Sequence, residues 1–478
     1  MNEVNVISLA PLLIVAAASV VVLVAITIRR NHAVAFVLTL LGLGAAFVSA
    51  FFTPPGQSTP LLLIDGYALF FFGLLTAASF LVALLAYAYL EARIGKKEEF
   101  YVLLLVATLG SMVLAASSHF ASLFLGLEVL SVGLYGLIAY LRDRPIQVDA
   151  GIKYLVLAGS SSAFLAFGIA LVYADLGTLD FAGIANLLRS QSNLNLALLL
   201  PGTVLILTGI GFKLALAPFH MWTPDIYEGA PAPVSAFVAT VSKGGMFALL
   251  LRYFGQSGAD HFTPLLTVIS ILAIASMITG NLLALFSTNV KRILAYSSIA
   301  HMGYLLVTVE AASSMGRNAA AFYLVAYFIM TLGAFGVVTL RSGASRDADL
   351  IEDYRGLFWR NPTLALVFTA MLLSLAGLPL TVGFLAKVYV VAAGAAAQVW
   401  PLILVLVITS AIGLFYYLRV VTALYQAPSE AAQAPEPAPR IAPAVSLVLV
   451  VLTVLLIWFG CYPSPILRVI QSAIGNPV

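Results

Sequence analysis

The chain has 478 residues, 62% of them hydrophobic and 9% charged, with a formal net charge of +3 and a mean hydropathy of +1.06. A soluble protein carries about 25% charge, so this sequence cannot cover itself with polar surface. That excludes a soluble enzyme, a nucleic-acid binder and a disordered chain. Its single cysteine, Cys461, cannot build a disulfide framework, a zinc knuckle or an iron–sulfur cluster alone. The five histidines (His32, His119, His220, His261, His301) show no haem-ligating pattern. Met1–Asn5 lacks the basic residues of a signal peptide, so the first helix is expected to be retained.

The apolar residues fall in runs of about 20, the length that spans a bilayer. Fourteen spans read off in chain order, at about 5–28, 33–53, 66–90, 99–117, 119–141, 151–174, 197–217, 232–254, 262–287, 292–311, 317–341, 361–394, 398–425 and 441–460. The runs are continuous and about twice the length of a transmembrane β-strand, so an all-α polytopic membrane protein is expected. Fourteen of the 23 lysines and arginines fall in one alternating set of loops, from Arg29 and Arg30 through Arg93, Lys96, Lys97, Arg142 and Arg144 to Arg440. The opposite set holds Arg189, Arg252, Arg317 and Arg468. The positive-inside rule then places both termini on the outer side.

Two segments outside the spans are distinctive. Arg341–Asn361 is charged, with Leu350, Tyr354, Leu357 and Phe358 at helical spacing, and predicts a short interfacial helix. Gln426–Pro443 is rich in Pro and Ala and reads as a semi-rigid linker.

Two spans are interrupted. Pro218, Pro224, Pro231 and Pro233 separate spans 7 and 8, and Gly377, Pro379 and Gly383 break span 12. Proline removes a backbone donor, and such breaks survive at membrane depth only inside protein or beside water. Paired interruptions point to a transport route. Gly209…Lys213 and Gly383…Lys387 share a GxxxK spacing, suggesting two five-helix repeats, spans 4–8 and 9–13, inverted because five is odd. The expected organisation is 1–98, an N-terminal three-helix segment; 99–254 and 262–425, the repeats; and 426–478, the linker and last span.

Ionisable residues within the spans are few: Glu128 in span 5, Lys153 in span 6, Lys213 in span 7, Lys243 in span 8 and Lys387 in span 12. A charge at the centre of a lone helix costs roughly 2.5–3.5 kcal/mol, and one acid cannot neutralise four lysines. A proton route explains them better than structural ion pairs. A lysine's ordinary pKa of about 10.4 falls when it is desolvated and rises again beside a carboxylate. Arginine effectively never deprotonates. Four of the seven lysines lie in spans, but of sixteen arginines only Arg419 does. Glu128, Ser131 and Tyr135 share one helical face, as do Ser297, His301 and Tyr304 in span 10. Gly244 and Gly245 beside Lys243 leave room for water or a close neighbour. His301 reads equally as a packing residue or a relay, and His220 as a relay or a helix-end cap. Asp225 and Glu228 read as structural. Gly209-x-Gly211 lacks the third glycine of a dinucleotide fingerprint, and no Walker loop, zinc motif or nucleophile elbow is visible.

The segments LGLEVLSVGLYGLIAY (125–140), GFKLALAPFHMWTPDIYEGAPAPVSAFVATVSKG (211–244), VKRILAYSSIAHMGYLL (290–306), DYRGLFWRNP (353–362) and LSLAGLPLTVGFLAKVYV (373–390) resemble subunit N of the proton-pumping NADH-quinone oxidoreductase, respiratory complex I, a member of the antiporter-like membrane subunit family. The resemblance covers about 100–460. It implies that Glu128 pairs with Lys213, that Lys243 is the central relay and that Lys387 serves the outward half-channel. His301 matches a recurrent histidine, and Lys153 a lysine of less settled role. It further implies redox chemistry in other subunits, where NADH, FMN, iron–sulfur clusters and quinone would bind, with none in this chain. The partners would be neighbouring membrane-arm subunits and the lipid bilayer, with no nucleic acid, and the location a bacterial inner membrane. A subunit of a cation/proton (Na+/H+) antiporter, or a secondary solute transporter, are the alternative readings.

Overall fold

The computed structural model describes residues 6–190, 194–257, 263–311, 313–427 and 443–474. His261, Arg440 and nearly all of the Pro/Ala linker lie outside these residues. The N-terminal helices are α1 (Ala10–Ile28), α2 (His32–Phe52) and α3 (Gly66–Glu91), with a hairpin of β1 (Gly56–Thr59) and β2 (Leu62–Ile64) between the last two. A first block follows: α4 (Glu99–Ala116), α5 (Phe120–Ile138), α6 (Pro145–Leu176), the surface helix α7 (Phe181–Ser190), α8 (Leu196–Leu214), α9 (Trp222–Gly229) and α10 (Ala232–Phe237). Helix α10 runs through a π turn (Val238–Ser242) into α11 (Lys243–Ser257). The second block holds α12 (Thr263–Phe286), α13 (Val290–Glu310), α14 (Ser314–Arg341), the single turn α15 (Leu357–Arg360), α16 (Pro362–Ala376), α17 (Val382–Ala396) and α18 (Trp400–Tyr425). Last come α19 (Pro443–Cys461) and α20 (Ser464–Ile474), bent 84° apart at Pro463.

Polar side chains start many of these helices. Asn31, Asp65, Asn289, Ser313 and Asn361 each accept a hydrogen bond from a first-turn N–H. Pro145 and Pro362 open α6 and α16, where no donor is needed. Among the described residues twelve helices are long and apolar enough to cross a bilayer, and the bent α19–α20 pair makes a thirteenth. The two 15-residue helices α16 and α17 together occupy the predicted span 12.

A repeat is visible in the packing. Helix pairs α4–α5, α5–α6, α6–α8 and α4–α11 in the first block are matched by α12–α13, α13–α14, α14–α16 and α12–α18 in the second. The spans α10–α11 and α14 are buried along their whole apolar stretch, at the centre. The breaks match as well. Helix α8 ends on Ala215 at φ 61°, and α16 on Gly377 at φ 89°. In each, the next residue's N–H reaches back five positions, Leu216 to the Gly211 carbonyl (2.8 Å) and Leu378 to that of Leu373 (3.0 Å).

This corrects the GxxxK echo. Lys213 lies two residues before its break and Lys387 ten residues after the matching one, so the two lysines are not equivalent positions. The breaks are what correspond.

The segment Arg341–Asn361 also departs from expectation. It forms only two isolated turns, Ile351–Tyr354 and Leu357–Arg360, because its acid is drawn inward. Asp347, 5% exposed, accepts hydrogen bonds from Tyr89 Oη (2.7 Å), Arg93 (3.1 Å), Lys291 Nζ (3.0 Å) and the Ala232 N–H (3.2 Å). Lys291 also donates to the carbonyls of Glu228 and Ala230, closing the end of α9. One carboxylate thus ties α3, α10 and α13 together. Asp225 and Glu228 are structural as expected, both pairing with Arg292 (3.0 and 2.6 Å).

Removing one partner of a buried ion cluster strands the others. Asp347→Ala should therefore destabilise the protein by about 3–5 kcal/mol, read as a fall in thermal unfolding temperature. An unchanged unfolding temperature would show that the cluster is not a structural tie.

Candidate functional site

Three buried lysines besides Lys291 lie inside the bundle, each held by acceptors on neighbouring helices. Lys213, second from the end of α8 and 2% exposed, donates to Tyr154 Oη (2.8 Å) and Ser131 Oγ (3.1 Å). Ser131 passes its own hydrogen to the Leu127 carbonyl (2.7 Å). The Trp222 indole packs on Tyr154 and donates to the Phe212 carbonyl (2.9 Å), filling the break.

The expected Glu128–Lys213 ion pair is not formed. Glu128 is half-exposed, one turn before Ser131, in the outward stripe of α5 that includes Leu125 and Val132. Its buried Oε1 has no hydrogen-bond partner. Helix rotation explains this: α5 presents Ser131 to the amine and holds Glu128 one turn back, out of contact but within electrostatic range of Lys213.

Lys243, 1% exposed, follows the π turn, a deformation that often marks functional positions. Its Nζ donates to Ser298 Oγ (2.7 Å), which also accepts from Tyr327 Oη (2.7 Å). Tyr227 Oη lies 3.4 Å from the same hydroxyl. Gly244 and Gly245 serve close neighbours: a Cβ on them would come within 2.4 Å of Phe328 and 2.8 Å of the Ser111 carbonyl.

From Ser298 the polar stripe continues along α13. His301 sits one turn on, with Nδ1 2.7 Å from Tyr323 Oη and its ring 5.4 and 5.5 Å from those of Tyr327 and Tyr304. Tyr304 accepts from Asn281 (2.9 Å), and the Lys387 ammonium lies 5.4 Å from its ring centre. Lys387 donates to Ser410 Oγ (2.6 Å) and to the Ala376 and Leu375 carbonyls (2.7 and 3.1 Å). It therefore caps the end of α16, where a cation is favoured by the helix dipole.

Among the described residues none of these three lysines makes an ion pair. Their acceptors are hydroxyls and carbonyls. Buried amines without contact counter-ions are a poor way to fix helices, so structural ion pairing does not account for them. Hydroxyl groups both accept and donate, which a chain that passes protons requires.

Other expected residues stand apart. Ser297 bonds Tyr417; the neighbouring Ser298, about 100° round the helix, is the one that meets Lys243. Lys153 is exposed at the rim, paired with Asp149 (2.9 Å) and Asp225 (3.4 Å), and does not join the lysine series. His220 is buried in the break with Nδ1 unpartnered, and no hydrogen bond links it to a lysine among the described residues. Sequence reasoning missed Tyr154, Ser298, Tyr323, Tyr327 and Ser410. A signal existed for the tyrosines, since a phenol deep in an apolar span needs a hydrogen-bond partner.

Comparison with known proteins bears on what this arrangement serves. Residues 117–413 match the family described as NADH:quinone oxidoreductase/Mrp antiporter, transmembrane. The chain is 46% identical over 479 residues to the NADH-quinone oxidoreductase subunit N of Ectopseudomonas mendocina (strain ymp), covering 98% of this chain and 96% of the relative. A chain in the respiratory complex I of Thermus thermophilus superposes with a TM-score of 0.82 at 32% identity, over 96% of this chain and 98% of that one. A chain of the Mrp complex from Dietzia sp. DQ12-45-1b superposes at 0.87 with 21% identity, over 99% and 97%, a likeness of fold.

The contacts of Lys387 and Lys213 predict different costs. Lys387→Met leaves two helix-end carbonyls and a serine without a charged donor and should cost about 2–3 kcal/mol. Lys213→Met removes a buried charge held by two hydroxyls and should cost less. Thermal unfolding of both variants compares them, and equal losses would contradict the capping role of Lys387.

Proposed function

The chain belongs to the NADH:quinone oxidoreductase/Mrp antiporter family, among the subunit N members of the quinone oxidoreductase, and from that premise we propose that Lys213, Lys243 and Lys387 relay protons across the membrane under the control of Glu128. It is a multi-pass, antiporter-like membrane subunit of a proton-translocating enzyme that works with other membrane-arm subunits. The observation that carries the relay is the set of buried lysines, bonded only to hydroxyls and carbonyls among the described residues, with Lys243 and Lys387 linked through Ser298, Tyr327, His301 and Tyr304.

Glu128 is the input. It faces outward from α5, where a neighbouring subunit can bring charge to it without entering the core. A unit charge 10 Å away is worth about 1.7 kcal/mol at an effective dielectric constant of 20, enough to change the proton affinity of a group on the other side of Ser131 by roughly tenfold. A proton released from Lys213 passes by Tyr154 and Tyr227 toward Ser298 and Lys243, then along α13 to Lys387. His220 and Lys153 lie off this line, His220 at the break and Lys153 at the rim. Segments 99–254 and 262–425 supply the two half-channels, and 1–98 and 426–478 brace them.

The redox groups, NADH, FMN, iron–sulfur clusters and quinone, belong to partner subunits on this reading. The loop set rich in lysine and arginine faces the inside of a bacterial inner membrane, and both termini face out. A sodium/proton antiporter subunit shares the fold, but the 46% identity to a subunit N sequence favours the quinone-linked complex.

Lys213→Ala and Lys243→Ala should each lower proton pumping and coupled quinone reductase activity of the assembled complex by about tenfold or more. A normal proton-to-electron ratio in both variants would refute the relay. Ser298→Ala should impair pumping more than Ser297→Ala, since only Ser298 touches Lys243. Measured side by side in proteoliposomes, the reverse order would place the route on the other face of α13.

A further inference from the structure

One apolar groove lies away from the lysine series, on the side of the molecule that carries the β-hairpin and α20. It has a volume of about 510 Å³ and runs along α3 from Gly66 through Gly73 to Ala77. Phe47 and Phe51 of α2 form one wall, Val325 of α14 the floor, and Ile466 and Val469 of α20 the roof. Helix α20 can lie there because Gly66 has no side chain: a Cβ on it would come within 2.7 Å of the Ala473 carbonyl.

The groove's dimensions and charge both point to one occupant. Gly66 to Ala77 is twelve residues of helix, eleven rises of 1.5 Å or about 16 Å. One leaflet of a bilayer's hydrocarbon core is half of about 30 Å. The groove therefore starts at the membrane surface under α20 and ends near the midplane, the depth of a single acyl chain. Its mouth is basic. Arg468 is exposed on the flank of α20 between two lining residues. Arg317, half-exposed at the start of α14, is within electrostatic range of Tyr67, next to Gly66. Asp65, the adjacent acid, is already held by two hydrogen bonds from Arg252 (2.6 and 3.0 Å).

We propose that this groove holds an anionic diacyl phospholipid, one acyl chain along the Gly66–Ala77 face of α3 and the phosphate at Arg468 and Arg317. The lipid fills the space between the N-terminal helices and α20, where protein packing is open. This assignment is independent of the proton route.

The test uses the assembled complex in nanodiscs of phosphatidylcholine doped with phosphatidylglycerol bearing a photoreactive diazirine in its acyl chain. Labelling of peptides 66–77 and 466–473 should exceed that of the exposed α18 face at Leu404 and Ile408. Gly73→Leu should lower groove labelling by about fivefold and leave α18 unchanged. A Cβ at Gly73 would meet Phe47 at 3.8 Å, ordinary contact, so the leucine enters the groove without displacing backbone. Arg468→Gln, a surface change, should reduce the preference for a phosphatidylglycerol probe over a phosphatidylcholine one. Equal labelling of groove and α18, insensitivity to Gly73→Leu, no headgroup preference at Arg468, or photoproducts joining the groove to a neighbouring subunit would each overturn the proposal.

Discussion

A lysine amine inside an apolar bundle must find its hydrogen-bond acceptors within the protein, and much of this structure follows from how three such amines are satisfied. Lys387 uses carbonyls that the break in span 12 exposes. Lys213 uses a phenol and a serine from two neighbouring helices. Lys243 uses a serine shared with a tyrosine, next to a π turn that relaxes the helix carrying it. The helix breaks are thus more than interruptions. One supplies acceptors directly, and the other ends α8 so that Lys213 sits against α5 and α6 rather than in the middle of a regular span.

The membrane rim uses the opposite solution. Asp347 gathers Arg93 and Lys291, with Arg144 nearby (3.9 Å), and ties the start of the Lys243 helix to the start of α13, which bears Ser298. Charges that fix the fold are paired and sit at an end of the bundle. Charges that lack counter-ions sit inside it. Glu128 belongs to neither class. It lies on the outward stripe of α5 without a contact partner but within electrostatic range of Lys213, so charge brought from beside the molecule is felt at the lysine, which suits a subunit that receives its energy from neighbours.

Much of this was legible in the sequence. Run length gave the spans, proline and glycine gave both breaks, and the bias of lysine over arginine singled out Lys213, Lys243 and Lys387, together with Lys153, which the fold leaves exposed and paired with Asp149 and Asp225. The relay's details were less accessible because they depend on rotation about helix axes. A reading by spacing chose Ser297 on α13, yet the helix presents Ser298 to Lys243. The Glu128–Lys213 pair was inferred from resemblance, and α5 turns Ser131 into that place. The GxxxK echo was a coincidence of spacing, which only the matching caps at Ala215 and Gly377 expose. Helix α20 went unread because its amphipathic eleven residues are too short and too polar for a span-length window. Asp347 was hidden in a loop, since nothing local marks an acid whose partners lie more than 50 residues or more than 250 residues away.

The central claim is that the unpaired buried lysines change protonation state during turnover, rather than standing as fixed charges. Solid-state NMR of the assembled complex in bilayers, with 15Nζ-labelled lysine and Lys243 assigned by substitution, observes this directly. The account predicts that the Lys243 resonance redistributes between ammonium and neutral amine when quinone turnover begins. A Lys243 signal that holds one charge state at rest and under turnover would contradict it.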